Sequence, residues 1–355
     1  MNRLDLSSYQ IVFGPIRNTL CEIIEQNIFS KVAILVDENT KSFCLPRLKG
    51  ILPSALVVQI ESGEINKNIQ TSSSIWSQMK SYQLDRNSLL INLGGGVIGD
   101  MGGFAASCYM RGIRFLQIPT TLLSQVDASV GGKLGVDFEG IKNFVGLFKD
   151  PVSVLIDPEF LSTLAKEELR SGFAEMIKHS LIADKEIWNA MQAQNPWNEF
   201  INQGTIQSSV AIKKRVVEQD PFEKGLRKIL NFGHTIGHAL ETSSFNSGRP
   251  LLHGEAIALG MIAEAFLSHK HLNLNKEELN SITSFIHSIY PDILNTDHFI
   301  DTEVMGHMKS DKKNEDGKIL FSLLEKIGSC TFNIPVEEQD IIEALSYCKS
   351  SYSSE

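Results

Sequence analysis

Short apolar runs rich in β-branched residues punctuate the first part of the chain. They lie at 31–37, 55–60, 88–93 and 114–118, and a stretch with helical periodicity, 68–81, separates the second run from the third. Strands that alternate with helices predict a parallel sheet covered by helices. Continuous apolar runs are typical of strands that are buried on both faces of such a sheet.

Beyond residue 160 the apolar positions recur with the period of an α-helix. Amphipathic stretches follow one another at 164–183, 206–217, 228–241, 253–267 and 276–290. Strand patterns return only at 317–324 and 329–334, where they predict a hairpin. The pattern therefore predicts an α/β domain over residues 1–155, followed by a mainly α-helical domain over residues 156–355.

The composition of the 355 residues excludes several classes of protein. A net charge of −9 argues against a nucleic-acid partner, which would need a basic surface. The five cysteines form no C-x-x-C pair, so we expect neither a disulfide framework nor a cysteine zinc site. No basic start precedes an apolar run at the N-terminus, and no apolar stretch is long enough to span a bilayer. We expect a cytoplasmic protein with no membrane partner.

Glycines cluster directly after the third apolar run. The sequence there is GGGVIGD, in which Gly94, Gly96 and Gly99 fit the pattern G-x-G-x-x-G between a strand and a helix. Glycines let backbone N–H groups approach a pyrophosphate at a helix N-terminus, so the segment favours nucleotide binding. Asp37, at the end of the first run, is placed to bind a ribose, with Asn39 beside it. The alternative is a tight turn with close helix packing, because this pattern alone is weak.

A stripe of polar side chains occupies positions where a helix usually packs. Arg227, Asn231, His234 and His238 are separated by four, three and four residues, which places them on one face of a predicted helix. A buried stripe of this kind needs polar partners. Two glycines in the same segment lower its helix propensity and indicate the close approach of another group. The alternative is a face exposed to solvent.

Candidate metal ligands lie in this stripe and in two other segments. Glu175, His234 and His253 would supply one carboxylate and two imidazoles, a set that suits zinc and leaves one position open for a substrate. Spacing alone does not choose between His234, His238 and His179 as ligands.

Seven motifs follow one another over most of the chain. They are GGGVIGD at 94–100, YMRG at 109–112, IPTTLLSQVDASVGGK at 118–133, KN at 142–143, SGFAEMIKH at 171–179, GLRKILNFGHTIGHALE at 225–241 and HGEAIALGM at 253–261. Together they resemble the motifs of the 3-dehydroquinate synthase family of sugar phosphate cyclases. The resemblance implies an α/β Rossmann-like NAD-binding domain followed by a mainly α-helical metal-binding domain, in agreement with the pattern of elements.

The resemblance also implies roles for individual residues. The metal, zinc or cobalt, would be held by Glu175, His234 and His253. NAD would be contacted by Asp37, Asn39, Glu64, Lys67, Gly95, Gly96, Val97, Ile98, Gly99, Asp100, Thr120, Thr121, Lys133, Lys142, Phe160, Leu161, Ser162 and Thr163. The substrate pocket would contain Asp127, Lys133, Lys142, Asn143, Lys178, Lys213, Glu223, Arg227, Asn231, His238 and Lys312, with Lys313 as the alternative to Lys312.

The reaction implied by the resemblance belongs to the shikimate pathway, which leads to chorismate and the aromatic amino acids. Its substrate, the anionic sugar phosphate 3-deoxy-D-arabino-heptulosonate 7-phosphate, is converted into 3-dehydroquinate and phosphate. NAD oxidises one hydroxyl, phosphate is eliminated, the ketone is reduced again, and the opened ring closes by an aldol addition. The resemblance therefore implies that NAD is regenerated in every turnover.

By resemblance, different polar residues would bind the carboxylate, the phosphate and the hydroxyls of that substrate. By resemblance, Arg227 would bind the carboxylate in a bidentate manner and Lys213 would add charge. The phosphate would be held by Lys133, Asn143, Asn231, His238 and, from a neighbouring subunit, Arg111. Asp127 and Glu223 would accept hydrogen bonds from hydroxyls and relay protons. The role of Arg111 implies a homodimer.

Three other functions compete with this one. A sibling cyclase that makes an inosose or a valiolone would share the NAD and the metal, but the polar set described above suits a substrate with a carboxylate. A metal-dependent oxidoreductase of the glycerol dehydrogenase type would release NADH, and the many cations argue against a neutral alcohol. An NAD-binding protein without catalytic activity is disfavoured by the full set of polar residues.

Overall fold

The structure, a computed structural model, describes residues 2–139, 141–245, 249–293, 301–309 and 318–353. The five cysteines are free thiols, as the sequence predicts. Within the described residues, no helix is both long and apolar enough to cross a membrane.

The chain folds as two compact units. Unit 1 comprises Met1–Ala165 and Asn202–Lys214, and unit 2 comprises Lys166–Ile201 and Arg215–Glu355. Unit 1 extends to Ala165, beyond the predicted boundary at residue 155, because the segment between these two residues packs against unit 1. In that segment Phe160 is part of a core cluster of unit 1, and Asp157 accepts a hydrogen bond from the backbone N–H of Ile16 at 2.8 Å.

Parallel strands dominate unit 1. Its strands are β1 (Asn2–Asp5), β2 (Gln10–Phe13), β3 (Val32–Val36), β4 (Leu56–Gln59), β5 (Leu89–Gly94), β6 (Arg114–Pro119), β7 (Lys133–Phe138), β8 (Ile141–Phe148) and β9 (Ser153–Ile156). A seven-stranded sheet has the order β1-β2-β9-β6-β5-β3-β4, and β7 pairs with β8 in a separate ribbon. Within the sheet only β1 and β2 pair antiparallel. The four strands predicted from the apolar runs are confirmed as β3, β4, β5 and β6.

Helices cover both faces of this sheet. They are α1 (Ile16–Glu25), α2 (Glu38–Phe43), α3 (Ile69–Ser81) and α4 (Gly96–Cys108). The alternation along β3 explains the layers, because successive side chains of a strand point to opposite faces. Ala33 and Leu35 belong to the core cluster that contains residues of α3 and α4, whereas Ile34 and Val36 belong to the cluster with residues of α1. The predicted α/β domain is confirmed.

Five strands of unit 1 did not stand out in the sequence. β1, β2 and β9 have only four residues each, too few for a clear period. β7 and β8 pair with each other outside the seven-stranded sheet, so they take no part in the strand–helix alternation that marked the other strands.

Unit 2 is mainly helical. Its helices are α5 (Lys166–Ala183), α6 (Lys185–Ala193), α8 (His234–Ser244), α9 (His253–Leu272), α10 (Lys276–Ile289), α11 (Asp301–Lys309) and α12 (Glu338–Ser353). Helix α7 (Gln203–Gln219) begins in unit 1, and only its end belongs to unit 2. The predicted hairpin is present as β10 (Ile319–Lys326), which pairs antiparallel with β11 (Ser329–Val336). Helix α9 is central: it is buried over most of its length and packs against α5, α8, α10, α12 and β10.

The predicted helix that contains the polar stripe is interrupted. Leu226–Asn231 form a 3₁₀ turn, and α8 begins only at His234. Between them Gly233 adopts a left-handed φ of 80°, and a Cβ at this position would lie 2.5 Å from the side chain of Met261. The prediction that all four polar residues share one helical face is therefore wrong. Only His234 and His238, one turn apart on α8, lie on a common face.

Candidate functional site

Unit 1 gathers the residues predicted to bind NAD at one edge of its sheet. Strands β9, β6, β5, β3 and β4 lie side by side in that order and run parallel, so their carboxyl ends share this edge. The predicted residues follow these ends: Asp37 and Asn39 after β3, Glu64 and Lys67 after β4, residues 95–100 after β5, Thr120 and Thr121 after β6, and residues 160–163 after β9. Ligands of such sheets bind outside the carboxyl ends of the strands.

The N-terminus of α4 fits a phosphate group. Gly95 stands at its N-cap position, and no side chain among the described residues caps the helix. The first N–H groups of a helix have no partner within the helix and bind anions readily. A Cβ on Gly95 would approach the side chain of Thr121 to 3.0 Å, and one on Gly96 would approach that of Ala128 to 3.6 Å. The residues present therefore fit the pyrophosphate of a dinucleotide.

Close packing explains the other glycines of this segment. A Cβ would lie 2.5 Å from the side chain of Ile98 at Gly94, and 2.3 Å from that of Leu134 at Gly103. The alternative stated for the glycine cluster, tight packing of the helix, therefore holds for these positions. It does not account for the uncapped helix N-terminus at Gly95.

Two predicted NAD contacts have side chains in the hydrophobic core. Ile98 and Phe160 are each 1% exposed, so only their backbone atoms are available to a nucleotide.

Asp37 caps α2, because its Oδ1 accepts hydrogen bonds from the N–H and the hydroxyl of Thr40, at 2.7 and 2.9 Å. Both of these bonds use the same carboxylate oxygen.

A buried ion pair joins two further NAD candidates. Lys67 donates from Nζ to Oδ2 of Asp100 at 2.6 Å and lies 3.9 Å from Oε1 of Glu64. Burial alone would lower the pKa of Lys67, but attraction to Asp100 and Glu64 outweighs it and raises that pKa. Asp137 completes the surroundings: its N–H donates to the carbonyl of Lys67, and its Oδ1 accepts from the N–H of Asn143. Nothing in the sequence pointed to Asp137, since no spacing connects it to the other residues.

The remaining candidates of unit 1 form two separate groups. Nζ of Lys213 donates to the carbonyl oxygen of Asp127 at 2.7 Å and forms an ion pair with its Oδ1, also at 2.7 Å. Lys133 begins β7 and pairs with Phe148, whereas Lys142 lies near the turn of the same ribbon. The two lysines are therefore at opposite ends of the ribbon and are not brought side by side.

Arg111 lies on a strained turn after α4. Met110 and Arg111 have φ values of 51° and 70°, and Gly112 follows with 109°. Side chains other than glycine rarely adopt this region, and such strain concentrates at functional positions. Arg111 is exposed. Its conformation fits a role at the surface of unit 1.

The predicted metal ligands converge in unit 2. Glu175 lies on α5, His234 is the first residue of α8, and His253 is the first residue of α9. Oε1 of Glu175 is 3.5 Å from Nε2 of His234 and 3.6 Å from Nε2 of His253. Ligand atoms of a tetrahedral zinc site with bonds of about 2.0–2.1 Å lie about 3.3 Å apart. These donor atoms therefore fit a divalent metal.

The other ring nitrogen of each histidine is engaged by the protein. Nδ1 of His234 lies 3.1 Å from the carbonyl oxygen of Phe232, and Nδ1 of His253 lies 3.5 Å from Oε2 of Glu241. Partners of this kind fix the tautomer, and they leave Nε2 for a metal. The sequence analysis gave Glu241 no role, although its position seven residues after His234 on one helix was an available signal.

Protons and metal compete for this cluster. Burial alone would lower the pKa of His253, but hydrogen bonds to Glu175 and Glu241 outweigh it and raise the pKa to about 9. Because a metal binds the neutral imidazole, His253 would have to lose this proton to serve as a ligand. Lys178 forms an ion pair with Glu175 and is itself 1% exposed.

A third imidazole lies beside the two predicted ligands. The ring centroid of His238 is 5.0 Å from that of His234 and 5.8 Å from that of His253, and the three histidines have ligand atoms within 4.8 Å of one another. Position alone therefore leaves His238 open as a ligand or as a neighbour of the metal. His179 is buried on α5, four residues after Glu175.

An ordered loop before α8 carries three substrate candidates. Arg227 is 2% exposed and donates to the carbonyl oxygen of Pro221 at 2.7 Å, while Nδ2 of Asn231 donates to Oε1 of Glu223 at 3.0 Å. Asp220, which the sequence analysis missed, accepts from the N–H groups of Lys224, Gly225 and Arg227 and so organises the loop. Lys312 and its alternative, Lys313, lie outside the described residues.

Family models cover most of the chain. The model of the 3-dehydroquinate synthase N-terminal domain matches residues 57–171, and that of the 3-dehydroquinate synthase C-terminal domain matches residues 172–314. A 3-dehydroquinate synthase of Parabacteroides distasonis is 42% identical over 348 residues, which cover 96% of this chain and 98% of the relative. One of Pyrococcus abyssi is 40% identical over 337 residues, covering 94% of this chain and 98% of the relative.

Solved structures of sugar phosphate cyclases share the fold. The 2-epi-5-epi-valiolone synthase of Streptomyces hygroscopicus subsp. jinggangensis, solved with NAD⁺ and Zn²⁺, is 25% identical with a TM-score of 0.86, over 99% of both chains. A 2-deoxy-scyllo-inosose synthase, solved with carbaglucose-6-phosphate, NAD⁺ and Co²⁺, is 22% identical with a TM-score of 0.83, over 97% of this chain and 98% of that chain. The two family models, the relatives and the converging ligand set lead to one conclusion: this chain belongs to the 3-dehydroquinate synthase family.

Proposed function

We propose that the chain converts 3-deoxy-D-arabino-heptulosonate 7-phosphate into 3-dehydroquinate and phosphate, as a carbon–oxygen lyase of the shikimate pathway. The observation that carries the proposal is the convergence of Glu175, His234 and His253 in a chain of this family. Such a set holds a metal with a position left for a substrate oxygen. The cytoplasmic location stays a prediction from the sequence.

NAD would bind at the carboxyl edge of the unit 1 sheet. The uncapped N-terminus of α4 would take the pyrophosphate through its N–H groups, and Asp37 and Asn39 would take a ribose. The turn of residues 160–163 follows β9, which lies beside β6 in the sheet, and would close the edge of the site. Two structural relatives that were solved with NAD⁺ support this assignment.

Zinc, or cobalt in its place, would be held by Glu175, His234 and His253. When bound, the metal polarises the reacting oxygen as a Lewis acid, and NAD takes and later returns a hydride. Glu241 and the carbonyl of Phe232 keep the two imidazoles in the orientation that this needs. The Zn²⁺ and Co²⁺ of the two solved relatives support the choice of metals.

Unit 2 would recognise the substrate through the loop before α8. The buried guanidinium of Arg227 is suited to the carboxylate, since a planar donor pair matches it in a bidentate manner. Asn231 and His238 would hold oxygen atoms of the phosphate. Glu223, hydrogen-bonded to Asn231, would accept a hydroxyl proton, and Lys178 would add positive charge beside Glu175.

Unit 1 carries the remaining cations and one further carboxylate of the proposed substrate-binding set. Lys133 and Asn143 would bind the phosphate, and Lys142 would contact NAD. Asp127 would act on a hydroxyl with its charge balanced by Lys213, whose ammonium it already binds. The main role of Lys213 would therefore be to balance the charge of Asp127, and binding of the substrate carboxylate would be its secondary role.

The chain would act as a homodimer in which Arg111 reaches the substrate of the neighbouring subunit. The exposed, strained turn that carries Arg111 supports this role. Apolar side chains are also exposed on the β7–β8 ribbon, namely Phe138, Ile141, Phe144 and Phe148. Such exposed apolar surface is typical of protein interfaces.

One experiment separates this function from its competitors. Phosphate release from 3-deoxy-arabino-heptulosonate 7-phosphate would be measured with catalytic NAD, before and after chelation, while the absorbance of NADH is followed. We expect metal-dependent release of phosphate with no net NADH. Stoichiometric NADH would instead point to an oxidoreductase of the glycerol dehydrogenase type. Turnover of neutral sugar phosphates alone would point to an inosose or valiolone synthase.

A pair of histidine variants ties the activity to the proposed metal site. His253→Ala removes a proposed ligand at the start of α9, and we expect phosphate release to be lost. His269→Ala is the matched control, because His269 lies near the other end of the same helix and bonds the carbonyl of Leu274. Equal activity in both variants would contradict the assignment of His253.

A further inference from the structure

A carboxylate with no assigned role is buried beside the start of α8. Glu264, on α9, is 0% exposed. Its Oε2 accepts a hydrogen bond from the N–H of Gly233 at 2.6 Å, and its Oε1 accepts from the N–H of Ile236 at 3.1 Å. Both oxygens thus bind backbone donors of the segment that begins α8.

This carboxylate replaces the cap that α8 lacks. The N-cap residue is Gly233, which has no side chain to bond the first N–H groups of the helix. Leaving those buried N–H groups without acceptors would cost free energy. A negative charge is favourable at a helix N-terminus because of the helix dipole. Glu264 therefore caps α8 from a different helix.

The two hydrogen bonds enclose the first candidate metal ligand. His234 lies between Gly233 and Ile236, the two residues whose N–H groups Glu264 binds. The ring of His234 is oriented by the carbonyl of Phe232, in the residue just before Gly233. Any movement of this turn would therefore shift both the Cα and the ring orientation of His234.

Helix α9 also carries the second histidine. His253 is its first residue, and Glu264 lies further along the same helix. The helices cross closely, because a Cβ on Gly260 would lie 2.0 Å from the carbonyl oxygen of Gly233. The backbone of α9 thus holds His253 directly and His234 through the carboxylate of Glu264.

We propose that Glu264 is a positioning residue for the metal site: it fixes the start of α8 so that Nε2 of His234 lies opposite Oε1 of Glu175. The inference rests on the proposed metal site at Glu175, His234 and His253. In this role Glu264 acts through the backbone N–H groups that it binds, not as a ligand of the metal. Its removal should therefore change metal affinity and ligand geometry, not only stability.

The test compares two variants of Glu264 with a control on the same helix. Glu264→Ala removes both acceptors, whereas Glu264→Gln keeps one oxygen and turns an NH₂ group towards the other N–H. The control is Ser268→Ala: Ser268 is buried one turn later, and its hydroxyl donates to the backbone carbonyl of Glu264 and accepts from the N–H of Leu324. This variant removes buried hydrogen bonds on the same helix but leaves the carboxylate of Glu264 in place. His234→Ala reports the loss of a proposed ligand.

Each purified, metal-free protein would be titrated with Co²⁺ against a competing chelator. The visible spectrum of the bound Co²⁺ and the melting temperature of the metal-free protein would be recorded as well. We expect both Glu264 variants to bind Co²⁺ about 10–100-fold more weakly than the unaltered chain, with an altered spectrum. Ser268→Ala should lower the melting temperature but leave the Co²⁺ affinity within about twofold.

The outcomes separate this inference from the proposed metal site. Unchanged Co²⁺ affinity and spectrum in Glu264→Gln, together with loss of binding in His234→Ala, would overturn the role of Glu264 alone. Unchanged binding in His234→Ala would overturn the metal site and this inference with it. If Glu264→Ala does not fold, the Glu264→Gln variant decides.

Discussion

At the scale of single residues, strain marks several of the predicted functional positions. Arg111, Asn143 and Glu223 all have positive φ, at 70°, 49° and 57°. A side chain in this region costs roughly 1–2 kcal/mol relative to the ordinary helical conformation, whereas glycine tolerates it. Non-glycine residues persist at such positions when the surrounding structure holds them there, and they cluster at functional sites.

Variants of Glu223 test whether a strained backbone is kept at this position because the side chain is needed for function. We expect Glu223→Gly to be as stable as Glu223→Ala or up to roughly 1 kcal/mol more stable, because glycine relieves the positive φ while both variants lose the bond to Asn231. Both variants should lose most of the phosphate-release activity. Chemical denaturation and the phosphate assay measure the two effects.

Gln83 is the control for that comparison. It has a φ of 55° but belongs to no predicted site. Gln83→Gly and Gln83→Ala should show the same order of stability with normal activity. If Glu223→Gly retained full activity, the side chain of Glu223 would have no catalytic role.

The stability of the folded chain should depend on pH through the carboxylate of Asp220. Burial alone would raise its pKa, but hydrogen bonds from the N–H groups of Gly225, Lys224 and Arg227 outweigh it and lower the pKa. A lowered folded-state pKa contributes stability above the unfolded value of about 3.9, and this stability is lost as the pH falls through the folded pKa.

We therefore expect Asp220→Asn to be less stable than the unaltered chain by about 1–3 kcal/mol at neutral pH. The difference should stay constant down to about pH 5 and shrink below about pH 4. Urea denaturation across pH measures it. Asp184→Asn is the control, since Asp184 caps α6 and asparagine caps a helix equally well. A difference for Asp220→Asn that did not shrink in acid would contradict an ionised role.

Residue chemistry could be predicted from sequence only where the partner was close along the chain or the family motif supplied it. The ligand set of Glu175, His234 and His253 was expected, and the structure brings its donor atoms together. Glu241 was missed because its partner, His253, lies on another helix, and Asp220 was missed because its hydrogen bonds depend on how the backbone turns. The pattern of polar positions does not encode that turn.

At the scale of elements, the crossing of α8 and α9 places the two histidines. Helices normally pack with axes 8–10 Å apart, and small residues at the contact bring them closer. A Cβ at Gly237 would lie 2.8 Å from Ile257, and one at Gly260 would lie 2.0 Å from the carbonyl oxygen of Gly233. The expectation that glycines in this segment indicate a close approach is confirmed, and the approaching group is α9.

Gly260→Ala tests the crossing. The added methyl meets backbone rather than a flexible side chain, so the helices must separate, at a cost of about 3 kcal/mol. Because α8 carries His234 and α9 carries His253, the affinity for Co²⁺ should fall as well. Denaturation and the Co²⁺ titration measure the two effects.

Gly306→Ala, in α11, is the matched control. A Cβ there meets no atom within 4 Å, so alanine should raise stability by about 0.5–1 kcal/mol through helix propensity. Similar stabilities in the two alanine variants would show that the crossing tolerates a methyl group.

At the scale of the whole molecule, each unit carries its own candidate cofactor site. Unit 1 holds the nucleotide edge of its parallel sheet, and unit 2 holds the carboxylate and imidazoles. A ligand that binds only the folded state adds stability with its concentration, by about 2.7 kcal/mol at 100 times its dissociation constant.

Metal removal should therefore destabilise unit 2 in particular. We expect chelation to lower the melting temperature and to speed hydrogen exchange in α8 and at the start of α9, with little direct effect on β5 or the start of α4. Re-addition of Zn²⁺ should restore both quantities. In His234→Ala the chelator should change neither, and a shift in that variant equal to that of the unaltered chain would place the metal elsewhere.

The sequence by itself determined the type of each half and the kind of chemistry. Apolar runs predicted the parallel strands, helical periods predicted the second half, and the residue types predicted a nucleotide and a metal, because period and donor chemistry are properties of short segments. The tertiary structure alone decided that the polar stripe breaks at Gly233, that Glu264 caps α8 and that Glu241 contacts the ring of His253. These features arise where distant segments meet, since a left-handed turn and a cap from another helix depend on packing that no local pattern records.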